Sequence, residues 1–221
     1  MRPRIHPVTM ANYIFTVEGN IGAGKTTFLE RLRREWPEAT IVLEPVGEWM
    51  SMKESNGTSL LDHFYADKKR WSYTFQTAAF LTRLMDTERV LESLPDAKGP
   101  RIVITERSVL TDRYVFAAML HASGDMTDLE YALYLRWHDR FASHVPIRGI
   151  IHLTTDSVTS LERIGIRGRD AEAGIQKEYL DALESQHRVW LSETPLPVFT
   201  ISNNEADPLD PLKAWIRSIA S

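Results

Sequence analysis

Gly19-Asn20-Ile21-Gly22-Ala23-Gly24-Lys25-Thr26 has the spacing G-x-x-x-x-G-K-T and follows directly on the apolar run Tyr13-Ile14-Phe15-Thr16-Val17. That spacing marks a phosphate-binding loop, and both flanks agree with it. The β-branched and aromatic run before it reads as a buried strand, while Phe28, Leu29 and Leu32 after it recur at helical spacing. Strand, glycine loop and helix is the arrangement the chemistry needs. Glycines accept positive φ and close backbone approach, so successive N–H groups can wrap a polyphosphate at the positive end of a helix. Lys25 would then reach the β- and γ-phosphates and the Thr26 hydroxyl would ligate Mg²⁺, with Thr27 completing the donor-binding set.

Outward from the loop, four more short runs rich in β-branched residues, 40–43, 101–105, 149–153 and 197–201, alternate with helical patterns. Alternation of this kind implies a parallel sheet with helices on both faces, whose ligands sit beyond the carboxyl ends of the strands. Three strands lead into useful chemistry on that edge: the first into the loop, the second into Glu44-Pro45, the third into Glu106-Arg107-Ser108. Helices are expected over 71–91, 109–121, 129–143, 157–164, 177–191 and 211–219, with Asp156 and Asp210 as N-terminal caps and Pro211 in a first helical position. Residues 51–59, containing Asn56-Gly57, read as a surface connection and 165–174 as a charged loop between helices. The organisation expected is a flexible tail over residues 1–11 and a single domain over 12–221, a length that buries one substantial core.

Composition narrows the function. With 26 Lys+Arg against 30 Asp+Glu, the net charge of −4 argues against a general nucleic-acid or anionic-membrane binder. The chain has no cysteine, which removes disulfides and thiolate metal sites and is compatible with a reducing compartment. No apolar stretch approaches the roughly 20 residues that span a bilayer, and residues 1–9 lack the apolar core of a signal peptide. A cytoplasmic protein is expected. The seven histidines show no metal-ligand spacing.

Several side chains then suggest roles. Glu44, projected by the following proline at a strand end, can accept a proton from an attacking hydroxyl. Glu106 stands where a carboxylate holds Mg²⁺, directly or through water, and Arg107 can restrain Glu44 or contact the acceptor's 5′ position. Arg163, Arg167 and Arg169 form a hinged, lid-like segment able to stabilise a transferring phosphoryl group. Gln76, Ala79 and Arg83 fall within about 60° on one helix face, and Asp112 and Phe116 lie four apart on the next helix. Together they make a candidate specificity device.

With these residues in view, the chain resembles the deoxyribonucleoside kinase family, in particular its deoxycytidine and deoxyguanosine kinase branch. The resemblance rests on Glu18 through Thr26, Glu44-Pro45-Val46 with Trp49, Arg70-Trp71-Ser72-Tyr73-Thr74-Phe75-Gln76-Thr77, Glu106-Arg107-Ser108-Val109, Asp112-Arg113-Tyr114 with Phe116, and Arg167-Gly168-Arg169. It implies an α/β P-loop kinase, with a five-stranded parallel sheet flanked by helices and an arginine-rich lid, that phosphorylates the 5′-hydroxyl of deoxyribonucleosides for nucleotide salvage. ATP and Mg²⁺ are the implied donor and metal, Glu44 the general base, and Lys25, Arg107, Arg163 and Arg167 the other catalytic residues. Tyr65 and Glu172 match positions that bind the sugar 3′-hydroxyl, and Ile21, Val46, Trp49, Leu61, Phe75 and Phe116 match the walls of the base pocket. A homodimer joined through helices is also implied, with 71–91 and 129–143 as the candidates.

Base choice has a physical reading. Asp112 is an acceptor that suits the exocyclic amine of cytosine or adenine and repels the O4 carbonyl of thymine, while Arg83 offers donors to an unprotonated ring nitrogen. Purine deoxynucleosides and deoxycytidine are therefore expected ahead of thymidine. The segment 51–59 is shorter than its counterpart in animal deoxycytidine kinase, and 202–207, where the donor base is expected, is not diagnostic of ATP. Two rival functions remain at this stage. A nucleoside monophosphate kinase would need basic residues on the acceptor's phosphate, where Glu44 would repel it. A GTP-dependent switch protein would need Asn-Lys-x-Asp; Asn204-Glu205-Ala206-Asp207 has the frame without the lysine, and Asp96-Ala97-Lys98-Gly99 precedes a strand instead of following one.

Overall fold

The computed structural model describes residues 12–94, 101–142, 144–202 and 208–220. Five strands, β1 (Asn12–Glu18), β2 (Thr40–Val42), β3 (Arg101–Glu106), β4 (Ile147–Thr154) and β5 (Val198–Ser202), form one all-parallel sheet in the order β2-β3-β1-β4-β5. The helices are α1 (Lys25–Glu35), α2 (Val46–Ser51), α3 (Leu60–Ala66), α4 (Lys68–Ser93), α5 (Val109–Thr111), α6 (Ala118–Ala122), α7 (Asp128–Phe141), α8 (Ser157–Arg167), α9 (Lys177–Glu193) and α10 (Leu209–Ala220). Between α5 and α6 the helix widens into a π segment, Asp112–Ala117, and a 3₁₀ turn, Asp170–Glu172, follows α8.

Alternation along β1 explains the layering. Phe15 and Val17 face Leu29 and Leu32 of α1 and Leu212 and Ile216 of α10, while Ile14 faces Phe80 and Leu84 of α4 and Tyr134 of α7. A third cluster packs Ile150 against Leu180, Leu183 and Trp190 of α9. With β1 central, its carboxyl end and the loop after it lie where the crossovers to either side diverge.

Each expected strand is present, with ends shifted by one or two residues. The helices differ more, for local reasons. Helix α4 begins at Lys68, a turn before Trp71, because the Asp67 side chain accepts from the Arg70 amide at 3.1 Å and caps it. Ser59 and Asp62 form a capping box that starts α3, a helix not anticipated from the sequence; α2 was also unanticipated. Asp156 caps α8, accepting from the Thr159 amide at 2.8 Å. Asp210 is not a cap, since α10 starts at Leu209 and puts Asp210 and Pro211 inside its first turn. Helix α8 runs on to Arg167 and closes at Gly168 in a left-handed cap, so the expected loop 165–174 is helical in its first three residues. The presumed tail 1–11, the segment 96–99 and all of the donor-base segment 202–207 except Ser202 lie outside the described residues.

Candidate active site

The loop after β1 is shaped by what lies behind it. At Gly19, φ is 143° and a Cβ would stand 2.4 Å from the Leu153 carbonyl oxygen; at Gly22, φ is 77° and a Cβ would stand 2.4 Å from the Ser160 carbonyl oxygen. Only glycine fits either position. Asn20 is buried and donates through Nδ2 to the Leu180 carbonyl at 2.8 Å, and Ala23 is buried, so these two and Gly19 shape the loop without lining the cavity. Gly24 precedes α1 as an N-cap without a side-chain hydrogen bond, which leaves the first amides of the helix directed at the loop's interior. Lys25 is buried and donates through Nζ to the carbonyls of Asn20 at 2.7 Å and Gly19 at 3.2 Å. Burial lowers its pKa to about 7, with Arg107 adding to the effect and Glu106, Glu44 and Glu18 opposing it.

A cavity of about 860 Å³ extends from this loop. Its lining brings the loop residues Gly22, Gly24, Lys25, Thr26 and Thr27 together with Val46, Trp49, Leu61, Tyr65, Phe75, Gln76, Ala79, Arg83, Asp112 and Phe116, and with Ile21, which packs in one cluster with Tyr65 and Phe116. Glu44, Glu106 and Arg107 link the two sets, Glu106 through Thr26 and Glu44 through Arg83, and Arg163, Arg167, Arg169 and Glu172 also line the cavity. Residues the sequence had not singled out as lining are Phe28, Arg31, Arg34, Leu43, Phe64 and Ile166. Of these, Phe28, Arg31 and Arg34 continue α1 at helical spacing from Thr27, a signal that was there to read.

Glu44 occupies the junction. Its Oε1 lies 2.7 Å from Arg83 Nη2 and 3.3 Å from Arg107 Nε. Burial disfavours the charged carboxylate, but Arg107, Arg83 and Lys25 outweigh it and hold the pKa below the ordinary carboxylate value. The group is therefore ionised at neutral pH and can accept a proton. Thr26 Oγ1 donates to Glu106 Oε1 at 2.8 Å, and Glu106 Oε2 accepts the Glu44 amide at 3.4 Å. A hydroxyl and a carboxylate side by side at the head of α1 are hard oxygen donors of the kind Mg²⁺ takes, so this pair fits the metal.

In the deeper part, Trp49 donates through Nε1 to Thr82 Oγ1 at 2.9 Å and packs edge-on against Phe75 at 5.3 Å between ring centroids. Arg83 Nη1 stands 3.4 Å from Asp112 Oδ1. Among the described residues, Arg83 Nη1 and Nε, Asp112 Oδ2 and Gln76 Oε1 are buried with no hydrogen-bond partner in the protein. Four unsatisfied polar atoms along a pocket otherwise walled by apolar and aromatic side chains call for a ligand with matching donors and acceptors. Burial pushes the Asp112 carboxyl up to about 7 against the pull of Arg83.

The lid arginines divide. Arg163 Nη1 reaches the Ala23 carbonyl at 3.3 Å, on the phosphate loop, whereas Arg167 and Arg169, the latter at 3.2 Å, both bind the buried Glu172 carboxylate. Of the three, only Arg163 bonds to the phosphate loop. Tyr65, whose hydroxyl is held neutral by burial, lines the same wall as Glu172.

Comparison with known proteins agrees with this geometry. The family model described as "Deoxynucleoside kinase" matches residues 15–213. Human deoxycytidine kinase is 36% identical over 217 residues, covering 86% of this chain and 83% of its own. Mitochondrial deoxyguanosine kinase of Xenopus laevis is 34% identical over 192 residues, covering 80% and 72%, and a probable deoxycytidine kinase of fowlpox virus is 36% identical over 203 residues, covering 88% and 80%.

Proposed function

This chain belongs to the deoxynucleoside kinase family, and we propose that it transfers the γ-phosphoryl group of ATP to the 5′-hydroxyl of deoxycytidine or a purine deoxynucleoside in preference to thymidine. The observation that carries the reading is Glu44, an ionised carboxylate between the phosphate loop and the pocket bearing Arg83, Asp112 and Gln76. The acceptor's 5′-hydroxyl gives its proton to Glu44, which Arg83 and Arg107 hold in place. Lys25, released from the carbonyls it binds here, takes the β- and γ-phosphates, and Arg163, joined by Arg167 once it leaves Glu172, stabilises charge on the transferring group. Thr26 and Glu106 would hold Mg²⁺, which when bound neutralises phosphate charge. Tyr65 and Glu172 take the sugar 3′-hydroxyl.

In the base pocket Asp112, part-ionised at neutral pH with its carboxyl at about 7, accepts from an exocyclic amine in its carboxylate form and Arg83 donates to a ring nitrogen, so the O4 carbonyl of thymine then meets an acceptor. A monophosphate acceptor is disfavoured, because its phosphate would stand beside the Glu44 carboxylate. We further propose a cytoplasmic homodimer acting in nucleotide salvage. The dimer is supported by the exposed apolar side chains Met85 on α4 and Leu129, Trp137 and Phe141 on α7, and sedimentation would read the mass directly.

Initial rates with ATP and Mg²⁺ against deoxyadenosine, deoxyguanosine, deoxycytidine and thymidine, with the monophosphates as controls, test the proposal. A leading rate for one of the first three supports it. Thymidine in the lead refutes the base-pocket reading, and turnover only with monophosphates refutes the acceptor assignment.

A further inference from the structure

Glu18 is the last residue of β1, immediately before the phosphate loop, and it is completely buried. An acid in that place is expensive unless its oxygens are satisfied. They are, by three hydroxyls, one from its own strand and two from α5 and the residue that caps it. Thr16 Oγ1 donates to Oε1 at 2.6 Å, Ser108 Oγ donates to the same oxygen at 2.8 Å, and Thr111 Oγ1 donates to Oε2. Burial raises the carboxyl's pKa, and the hydroxyls of Thr111 and Thr16, with Arg107 and Ser108, pull it back.

What the acid fastens is the unusual turn after β3. Arg107 has φ of 60°, the only positive φ at a non-glycine among the described residues. Such a conformation is strained in a residue that carries a side chain and persists only where its surroundings hold it. Glycine would relax it, but the guanidinium is needed, since its Nε is 3.3 Å from Glu44. On one side of the turn, Glu106 is tied to Thr26 and to the Glu44 amide. On the other, the Ser108 hydroxyl gives its proton to Glu18 while its oxygen accepts the amides of Leu110 at 3.2 Å and Thr111 at 3.4 Å. Thr111 leads straight into Asp112.

We propose that Glu18 is a positioning residue for the transfer step: its carboxylate locks the Glu106-Arg107-Ser108 turn against the phosphate loop, and so sets the Arg107 guanidinium beside Glu44. Glutamine is a poor substitute, because its amide keeps one acceptor oxygen for Thr16 and Ser108 but presents a donor to Thr111, whose hydroxyl must then turn to accept and loses its charge-assisted bond. The inference rests on Glu44 and Arg107 being transfer machinery, and Glu44→Gln is the control for that reading alone.

Steady-state kinetics of Glu18→Gln, Arg107→Lys and the double variant decide it. Glu18→Gln is expected to lower kcat at least tenfold, with KM for ATP and nucleoside changed less than threefold. In the Arg107→Lys background the same change is expected to lower kcat less than twofold further, because the group it positions is already displaced. Independent, multiplying losses, or a kcat for Glu18→Gln within twofold of the parent, overturn the proposal. Should Glu18→Gln fail to fold, Thr111 decides: Thr111→Val, which removes one hydroxyl at nearly constant shape, is expected to lower kcat severalfold while Thr111→Ser retains it. Equal kcat in that pair overturns the proposal.

Discussion

Replacing Glu44 by glutamine removes a charge and a proton acceptor while leaving the shape of the cavity intact. The amide oxygen can still take the place of Oε1 between Arg83 and Arg107, and its NH₂ then points a donor toward the attacking hydroxyl. General-base assistance contributes typically about 10²- to 10⁴-fold. At about 1.4 kcal/mol per decade, the barrier is expected to rise by about 3–6 kcal/mol. Stability falls less. The Arg83 hydrogen bond and the Arg107 ion pair both drop from the charged to the neutral class, a loss of about 1 kcal/mol each, and Asp112 remains 3.4 Å from Arg83 as a counter-charge. A loss of about 2 kcal/mol lowers Tm by about 4–8 °C in a chain of this size, so an assay at 25 °C reads a folded protein. Single-turnover rates with deoxycytidine at saturating ATP, alongside ATP binding by calorimetry and a thermal melt, separate the effects. Unchanged ATP affinity with kcat reduced 10² or more is the expected outcome. A folded variant that turns over within threefold of the parent refutes Glu44 as the base.

Further predictions come from the same geometry. Changing Arg83 and Asp112 together to apolar residues is expected to move preference toward thymidine, read as the ratio of kcat/KM for thymidine and deoxycytidine; an unchanged order rejects the pair as base reader. Lys25, with a pKa of about 7 in the free protein, must be charged against triphosphate. At pH 8 its free form carries about 0.1 proton, so ATP binding is expected to take up about 0.9 proton, measured by calorimetry in buffers of different ionisation enthalpy; no uptake above pH 7.5 refutes it. His152 and His187 lie buried and stacked, at 6.3 Å between centroids, and burial lowers the His152 pKa from 6.5 to about 4 and holds His187 well below 6.5. The unfolded chain protonates first, so stability is full above pH 6.5 and declines as pH falls toward 4, by about 3 kcal/mol from His152. Urea unfolding of His152→Gln is expected to show a shallower decline over that window.

Local order was legible where a physical rule acts over a few residues. The phosphate loop needs glycines at fixed offsets, the strands need β-branched runs, and the long helices need a 3.6-residue period, so sheet, loop and major helices could be read directly. Short helices escaped: α2 and α3, of six and seven residues, offer too little periodicity, and only the Ser59/Asp62 box marked one of them. The Asp210 cap failed because a second start, at Leu209, was available to the chain.

The sequence by itself therefore determined the strand–loop–helix core, the residue types at the site and the family they resemble. Tertiary structure alone decided which charges meet. Arg83 reads as a base-pocket residue from its helix face, yet it binds Glu44 across 39 positions of sequence. Arg167 and Arg169 read as donor-facing lid residues, yet both hold Glu172. Glu18 reads as one more polar residue beside the loop, and its weight comes from hydroxyls 90 and 93 positions away. The reason is physical: backbone preference follows from near neighbours in the chain, whereas a buried charge takes its partner and its pKa from whichever elements pack against it.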